Sequence, residues 1–142
     1  MRVLGANIKT ILDERPAVII SSTAPRALES SEVLMKELNL TEFEREPLFW
    51  TSSDSPIDNH LASLAYYPRS ALDVTVDYIE QKGQNTENLI IVSRDEITRS
   101  IPGYFLARVW ERQERIASPK KGQGIHFDCQ SKLYQMIPKD IT

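Results

Sequence analysis

The sequence has 142 residues, of which 41% are hydrophobic and 26% are charged, and its formal net charge is −3. This size and balance are typical of one folded domain, spanning residues 1–142, and exclude a disordered chain. The small negative charge gives no general attraction to nucleic acid or to an anionic membrane, so we expect neither as a partner.

The compartment is predicted from what the sequence lacks. Its single cysteine, Cys129, cannot form an internal disulfide. No apolar run approaches the roughly 20 residues of a membrane span, and residues 1–15 carry no signal-peptide pattern. We therefore expect a cytoplasmic protein.

In the first half of the chain, apolar residues recur at helical spacing over residues 3–14. Residues 17–20 form a short apolar run rich in β-branched side chains, which predicts a strand covered on both faces. A second helical stripe runs from Pro25 to about residue 38, with the proline near its first position. Residues 47–50 are predicted to be a short extended piece.

The second half repeats this alternation. Helical patterns cover residues 57–66 and 70–82, and Gly83 is expected to end the second of them. A buried-type strand is predicted at residues 89–92, followed by a helix at 96–113 that Pro102 interrupts or bends. Residues 125–129 and 132–137 are predicted to pair as a terminal hairpin. Alternating strands and helices predict a layered α/β domain with a mostly parallel sheet.

Two loops follow the predicted buried strands, where parallel sheets carry their binding sites. Arg26 lies at the start of a helix, where free N–H groups, the helix dipole and a guanidinium together favour an anion. Arg94 follows the other strand, and the two arginines would converge on one phosphate if the strands are neighbours. Alternatively, Arg26 is a surface residue and Arg94 only pairs with a nearby carboxylate.

Other chemistry has little support. Neither His60 nor His126 follows a buried strand, so both are interpreted as structural or surface residues. Metal-ligand spacing, a glycine-rich phosphate loop and a GxSxG elbow are all missing, so we expect no metal and no cofactor. The acidic residues of the middle region are interpreted as a solvated face; they are Glu42, Glu44, Glu46, Asp54 and Asp58.

The segment Ser21–Ser30, which follows Val18-Ile19-Ile20, closely resembles the second motif of the histidine phosphatase superfamily, in which a strand delivers Ser-Ser and an Arg-Ala pair opens a helix. The run Leu89–Ser93 resembles the strand that carries the second active-site histidine of that family, and the closing hairpin is also similar. The resemblance implies a phosphoglycerate mutase-like three-layer αβα sandwich with a mostly parallel sheet. It also implies phosphate binding by Arg26 and Ser22.

The chain departs from the family pattern at the residues that carry the chemistry. The family's first strand, which ends in Arg-His-Gly, has no counterpart, and Arg94 stands where the second histidine would be. Glu46 and Asp54 are weak candidates for the acid donor. A guanidinium binds phosphate but cannot accept it covalently as an imidazole can. A missing strand would also leave an edge beside residues 89–93, which the hairpin or a second copy could fill, so we expect a homodimer.

Three functions follow from this. The first is an inactive histidine phosphatase-like protein that binds phosphate, a phosphorylated small molecule or a phosphorylated protein through Arg26 and Arg94. The second is a phosphatase acting on a phosphoric monoester or phosphoprotein, whose Arg-His-Gly segment is encoded upstream of Met1. The third is an interaction subunit without a ligand.

Overall fold

The computed structural model describes residues 2–49, 68–93, 95–117 and 119–138. The predicted helix at 57–66 lies outside these ranges. In chain order, the described elements are α1 (Arg2–Leu12), β1 (Val18–Ser21), α2 (Pro25–Glu37), β2 (Glu44–Arg45), a 3₁₀ helix (Pro47–Phe49), α3 (Pro68–Gln84), β3 (Leu89–Val92), α4 (Asp95–Val109), β4 (Gly124–Asp128) and β5 (Leu133–Ile137).

The central sheet has the order β2-β1-β3, and both neighbouring pairs are parallel. In β1, Ile19 and Ile20 are both completely buried although their side chains point to opposite faces. A strand that is covered on both faces needs an apolar residue at successive positions, which is why this run lacks alternation. The predicted parallel α/β class is confirmed.

Helices cover each face of this sheet. On one face, Ile19 packs with Ala27 and Leu34 of α2, and Ile8 of α1 lies against the same cluster. On the other face, Ile20 packs with Phe49 and with residues of α3 and α4, which are Tyr78, Ile79 and Ile101. The predicted three-layer αβα arrangement is therefore confirmed by the two separate cores.

The terminal hairpin, β4 with β5, forms a sheet of its own. Gly124 lies against Leu4 of α1, with 3.9 Å from an ideal Cβ position to the leucine methyl carbons. The ring of Phe127 packs edge-on against Phe105 of α4 and Trp110 just after it, with centroids 5.3 and 5.4 Å apart. The hairpin therefore contacts α1 of one outer layer and α4 of the other.

The strand that the resemblance places beside β3 has no counterpart among the described strands. Within the described ranges, β1 is the one strand that pairs with β3, and the hairpin does not join this sheet. Of the two expected ways to fill that edge, the intramolecular one is therefore wrong. The physical reason is that the aromatic contacts of Phe127 hold the hairpin on α4 instead.

Three local predictions are corrected. Residues 47–49 form a 3₁₀ helix, and the extended residues are Glu44–Arg45 just before it. Helix α3 continues through Gly83 to Gln84, and the space around Gly83 is open, so nothing there forces a stop. Pro102 does not interrupt helix α4, which ends at Val109, because Glu111 adopts a φ of 55° that a right-handed helix cannot include. A bend of the helix at Pro102 stays a prediction.

Cys129 lies exposed in the turn between β4 and β5 rather than in a strand. None of the described helices has the length and apolar character needed to cross a membrane.

Candidate functional site

The carboxyl ends of all three parallel strands meet at one edge of the sheet. Ser21 of β1 lies in register with Val92 of β3 on one side and with Arg45 of β2 on the other. Beyond these pairs, the amide of Ser22 donates to the carbonyl oxygen of Val92 at 2.7 Å, and the amide of Glu46 donates to the carbonyl oxygen of Ser21 at 2.8 Å. The loops after the three strands therefore start side by side, as a binding site requires.

Helix α2 begins directly at this edge. Its N-cap is Ala24, with extended backbone angles of −63° and 138°, and Pro25 occupies the first turn, where its fixed φ suits the helix. No side chain caps the helix start. Because the first N–H groups of a helix have no intrahelical acceptor, those of Arg26 and Ala27 have no partner within α2.

Arg26 lies in that first turn and its side chain is exposed. A guanidinium beside the positive end of a helix dipole is an arrangement that binds anions. No acidic residue occupies the first turn of α2, and the first carboxylate along the helix is that of Glu29, three residues after Arg26. The arrangement can hold an anion without any metal.

Ser22 is completely buried under this loop. Its Oγ accepts a hydrogen bond of 3.2 Å from the amide of Ala24, which is 1% exposed and would otherwise be an unpaired buried donor. The neighbouring Ser21 hydroxyl donates to the carbonyl oxygen of Ser22 at 2.8 Å. Both serines thus shape the turn between β1 and α2. Direct contact between the Ser22 hydroxyl and a ligand stays a prediction.

Thr23 was not singled out by sequence reasoning. It lies in the same loop, and its Oγ1 is buried without a hydrogen-bond partner in the structure. Most buried polar groups in proteins form a hydrogen bond, and leaving a buried hydroxyl unpaired costs free energy. Thr23 is an exception to this rule. The sequence feature that could have identified Thr23 is its position between a buried strand and the proline that begins a helix.

Glu46, a candidate acid, lies at the same edge but directs its carboxylate elsewhere. Its Oε1 accepts a 3.2 Å hydrogen bond from the amide of Leu48 and so caps the short 3₁₀ helix. Its charge also acts on Tyr78 of α3, whose pKa is raised first by burial and next by Glu46. The structure therefore gives the Glu46 carboxylate a local structural contact, and its role as an acid donor stays a prediction.

The remaining candidates fall partly outside the described residues. Arg94, Asp54 and His60 all lie there, so their placement is not described. The residue before Arg94 is described: the hydroxyl of Ser93 donates to the carbonyl oxygen of Phe49 at 3.2 Å, which ties the end of β3 to the 3₁₀ helix. His126 lies in β4 opposite Gln135, in the other sheet.

Among the side chains that the structure describes, there is no group of three or more His, Cys, Asp or Glu residues that could hold a metal ion. The groups at the start of α2 that are able to attract an anion are an N–H pair and a guanidinium, and neither needs a metal.

The class that fold and site define is a three-layer α/β domain with an anion-favouring helix start at the carboxyl edge of a parallel sheet. Among solved structures, a phosphoglycerate mutase from Plasmodium falciparum is similar to this chain, with 16% sequence identity and a TM-score of 0.45. The similarity covers 78% of this chain and 66%, just under two-thirds, of that one. No protein-family model matches the sequence, and no curated protein matches it at a significant level.

Proposed function

We propose that this chain is a histidine phosphatase-like protein that binds phosphate, or a phosphorylated small molecule or protein, through Arg26 without turning it over. Arg94 supplies a second guanidinium in this proposal. The observation that carries it is the hydrogen bond between Ser22 and Val92, because it sets the loop of Arg26 beside the strand that leads to Arg94.

The chemistry of the binding step follows from the start of α2. A phosphate oxygen that approaches the helix end meets the amides of Arg26 and Ala27, and the guanidinium of Arg26 reaches a second oxygen. Ser22 supports this geometry from below by holding the amide of Ala24. Two arginines around one phosphate neutralise its charge more fully than one arginine does. In this proposal, Arg94 is the second arginine.

The absence of turnover rests on which side chains can accept a phosphoryl group. An arginine does not deprotonate at working pH, so it serves neither as nucleophile nor as general acid or base. Of the described residues at this edge, none is a histidine, and His126 belongs to the other sheet. Arginine contacts supply binding and electrostatic stabilisation, whereas a covalent mechanism also needs a nucleophile.

We place this function in the cytoplasm. The support is the free, exposed thiol of Cys129, which suits a reducing compartment in which it stays unpaired.

The test is a thermal shift titration with inorganic phosphate and with sulfate, at ionic strength matched by chloride. A ligand that binds only the folded state raises the unfolding temperature, so phosphate should stabilise the wild type. Arg26→Ala should lose this shift and Arg26→Lys should retain part of it. The matched control is Arg115→Ala, which removes an exposed arginine of the 111–117 loop and should keep the full shift.

A parallel assay with p-nitrophenyl phosphate separates binding from catalysis. We expect no hydrolysis above the buffer blank. Hydrolysis that disappears in Arg26→Ala would contradict the inactive protein and favour the phosphatase. No phosphate-dependent shift in the wild type would instead favour an interaction subunit without a ligand.

A further inference from the structure

The free edge of the terminal hairpin is short and uncharged, as is the free edge of β3. Strand β5 spans five residues, Leu133–Ile137, and none of them is charged. Within the part of the chain that the structure describes, its one strand partner is β4. A bulge, a lysine or a proline can protect an edge strand from pairing with another chain. The register of β5 with β4 contains no bulge, and Lys132 and Pro138 lie just beyond the two ends of β5 rather than within it.

One face of β5 carries a protruding apolar side chain at one end and a groove at the other. Leu133 is 65% exposed, and it is one of three exposed large hydrophobic residues among the described side chains. Leu133, Gln135 and Ile137 share a face because strand side chains alternate. At the Ile137 end, a groove of about 500 Å³ separates β5 from α1, and its walls are Ala6, Asn7, Thr10, Ile11, Gln135 and Ile137.

We infer that β5 is the pairing edge of a homodimer, in which two copies of β5 run antiparallel about a two-fold axis at Gln135. In that register, Gln135 lies opposite Gln135 of the second copy, and Leu133 lies opposite Ile137 of the second copy. Each exposed leucine is thereby brought to the groove of the other copy. An interface with two-fold symmetry requires a surface that is complementary to itself. Here the projecting Leu133 and the groove beside Ile137 lie equally far from the axis.

Charge is consistent with a second copy as the occupant. The paired strands place no like charges opposite one another, and the walls of the groove are uncharged. The Arg112 guanidinium lies 5.8 Å from the centre of the Tyr134 ring of β5, and it is paired with Glu114 at 2.6 Å. A second cation, Lys132, directly precedes the strand, so its two copies in the dimer are about 20 Å apart at 3.4 Å per residue. This distance exceeds the Debye length of about 8 Å at physiological ionic strength, so their repulsion is screened.

The first test is the mass in solution by sedimentation over a range of protein concentrations. We expect a mass twice that of the chain, falling to one chain on dilution. Leu133→Lys should leave a monomer at every concentration. Its control is Val74→Lys on α3, where the native side chain is 49% exposed, and this variant should still dimerise. Both positions are exposed, so neither variant should unfold the protein.

The second test locates the axis by cross-linking. In a Cys129→Ser background, Gln135→Cys should form a disulfide between two chains on mild oxidation, because directly opposite residues of antiparallel strands have Cα atoms about 4.5–5.5 Å apart, within disulfide range. Val74→Cys in the same background should not cross-link. A monomeric mass at all concentrations, dimerisation that survives Leu133→Lys, or no cross-link at Gln135→Cys would each overturn the inference.

Discussion

The main-chain amide of Ser22 donates a 2.7 Å hydrogen bond to the carbonyl oxygen of Val92, which joins the carboxyl ends of two parallel strands. This contact extends the register that pairs Ser21 with Val92 by one further residue. It sets the turn that leads to Arg26 beside the strand end that leads to Arg94. Two strand ends that lie 70 residues apart in sequence, Ser22 and Val92, are thereby joined at one edge of the sheet.

Ser22→Ala should destabilise the fold by about 1–3 kcal/mol, because it leaves the buried amide of Ala24 without its acceptor. Urea unfolding followed by circular dichroism measures the effect as a shift of the midpoint at constant slope. The matched control is Thr23→Ala, which removes a hydroxyl that has no partner and should cost less. Equal losses for the two variants would show that the Ser22 hydroxyl does not hold the turn.

Two helical glycines should respond in opposite directions to a larger side chain. Gly83→Ala should stabilise the protein by about 0.5–1 kcal/mol, because α3 continues through it and nothing lies within 4 Å of the added methyl group. Gly5→Val should destabilise it by about 1–3 kcal/mol, because a Cβ there would lie 3.1 Å from the Cβ of Glu37 on α2. Thermal unfolding measures both, and stabilisation by Gly5→Val would mean that α1 and α2 do not approach so closely.

The turn between β4 and β5 should respond to pH through Asp128. Hydrogen bonds from the amides of Ser131 and Gln130 to its carboxylate lower the pKa of Asp128 below the ordinary 3.8. Since the pKa is lower in the folded state, the stabilisation is fully present above the ordinary value and is lost as the pH falls through the lowered one. Asp128→Asn keeps an acceptor but does not titrate.

The measurement is the difference in urea midpoint between wild type and Asp128→Asn at several pH values. Any advantage of the wild type should be constant near neutral pH and should shrink as the solution becomes acidic. A difference that does not change with pH would mean that the charged form of Asp128 makes no contribution of its own.

Much of the fold is readable from the sequence because a covered parallel strand has a strong local signature. Val18–Ile20 and Leu89–Val92 are apolar at consecutive positions, and Pro25 begins a helix whose stripe of apolar residues is regular. These features are set by the chain itself. The start of α2 and the exposed Arg26 follow from them, which is why this half of the candidate site could be located without a structure.

What the sequence did not reveal depends on contacts between distant residues. The 3₁₀ helix at Pro47–Phe49 is capped by the Glu46 carboxylate and tied to Ser93 by a hydrogen bond across 44 positions. Pro102 stays inside α4, where Ile101 packs against the core and Arg108 binds Asp73 of α3. Such tertiary contacts override local preferences that would otherwise end a helix or extend a strand.

The most direct test of phosphate binding at the start of α2 is a two-dimensional ¹H–¹⁵N NMR titration of the wild-type chain with inorganic phosphate. The account predicts saturable shifts of the Arg26 and Ala27 amides and of the Arg26 side-chain Nε–H, absent when chloride is added at the same ionic strength. Phosphate-induced shifts confined to other parts of the chain, or no saturable shift at Arg26 and Ala27, would contradict it.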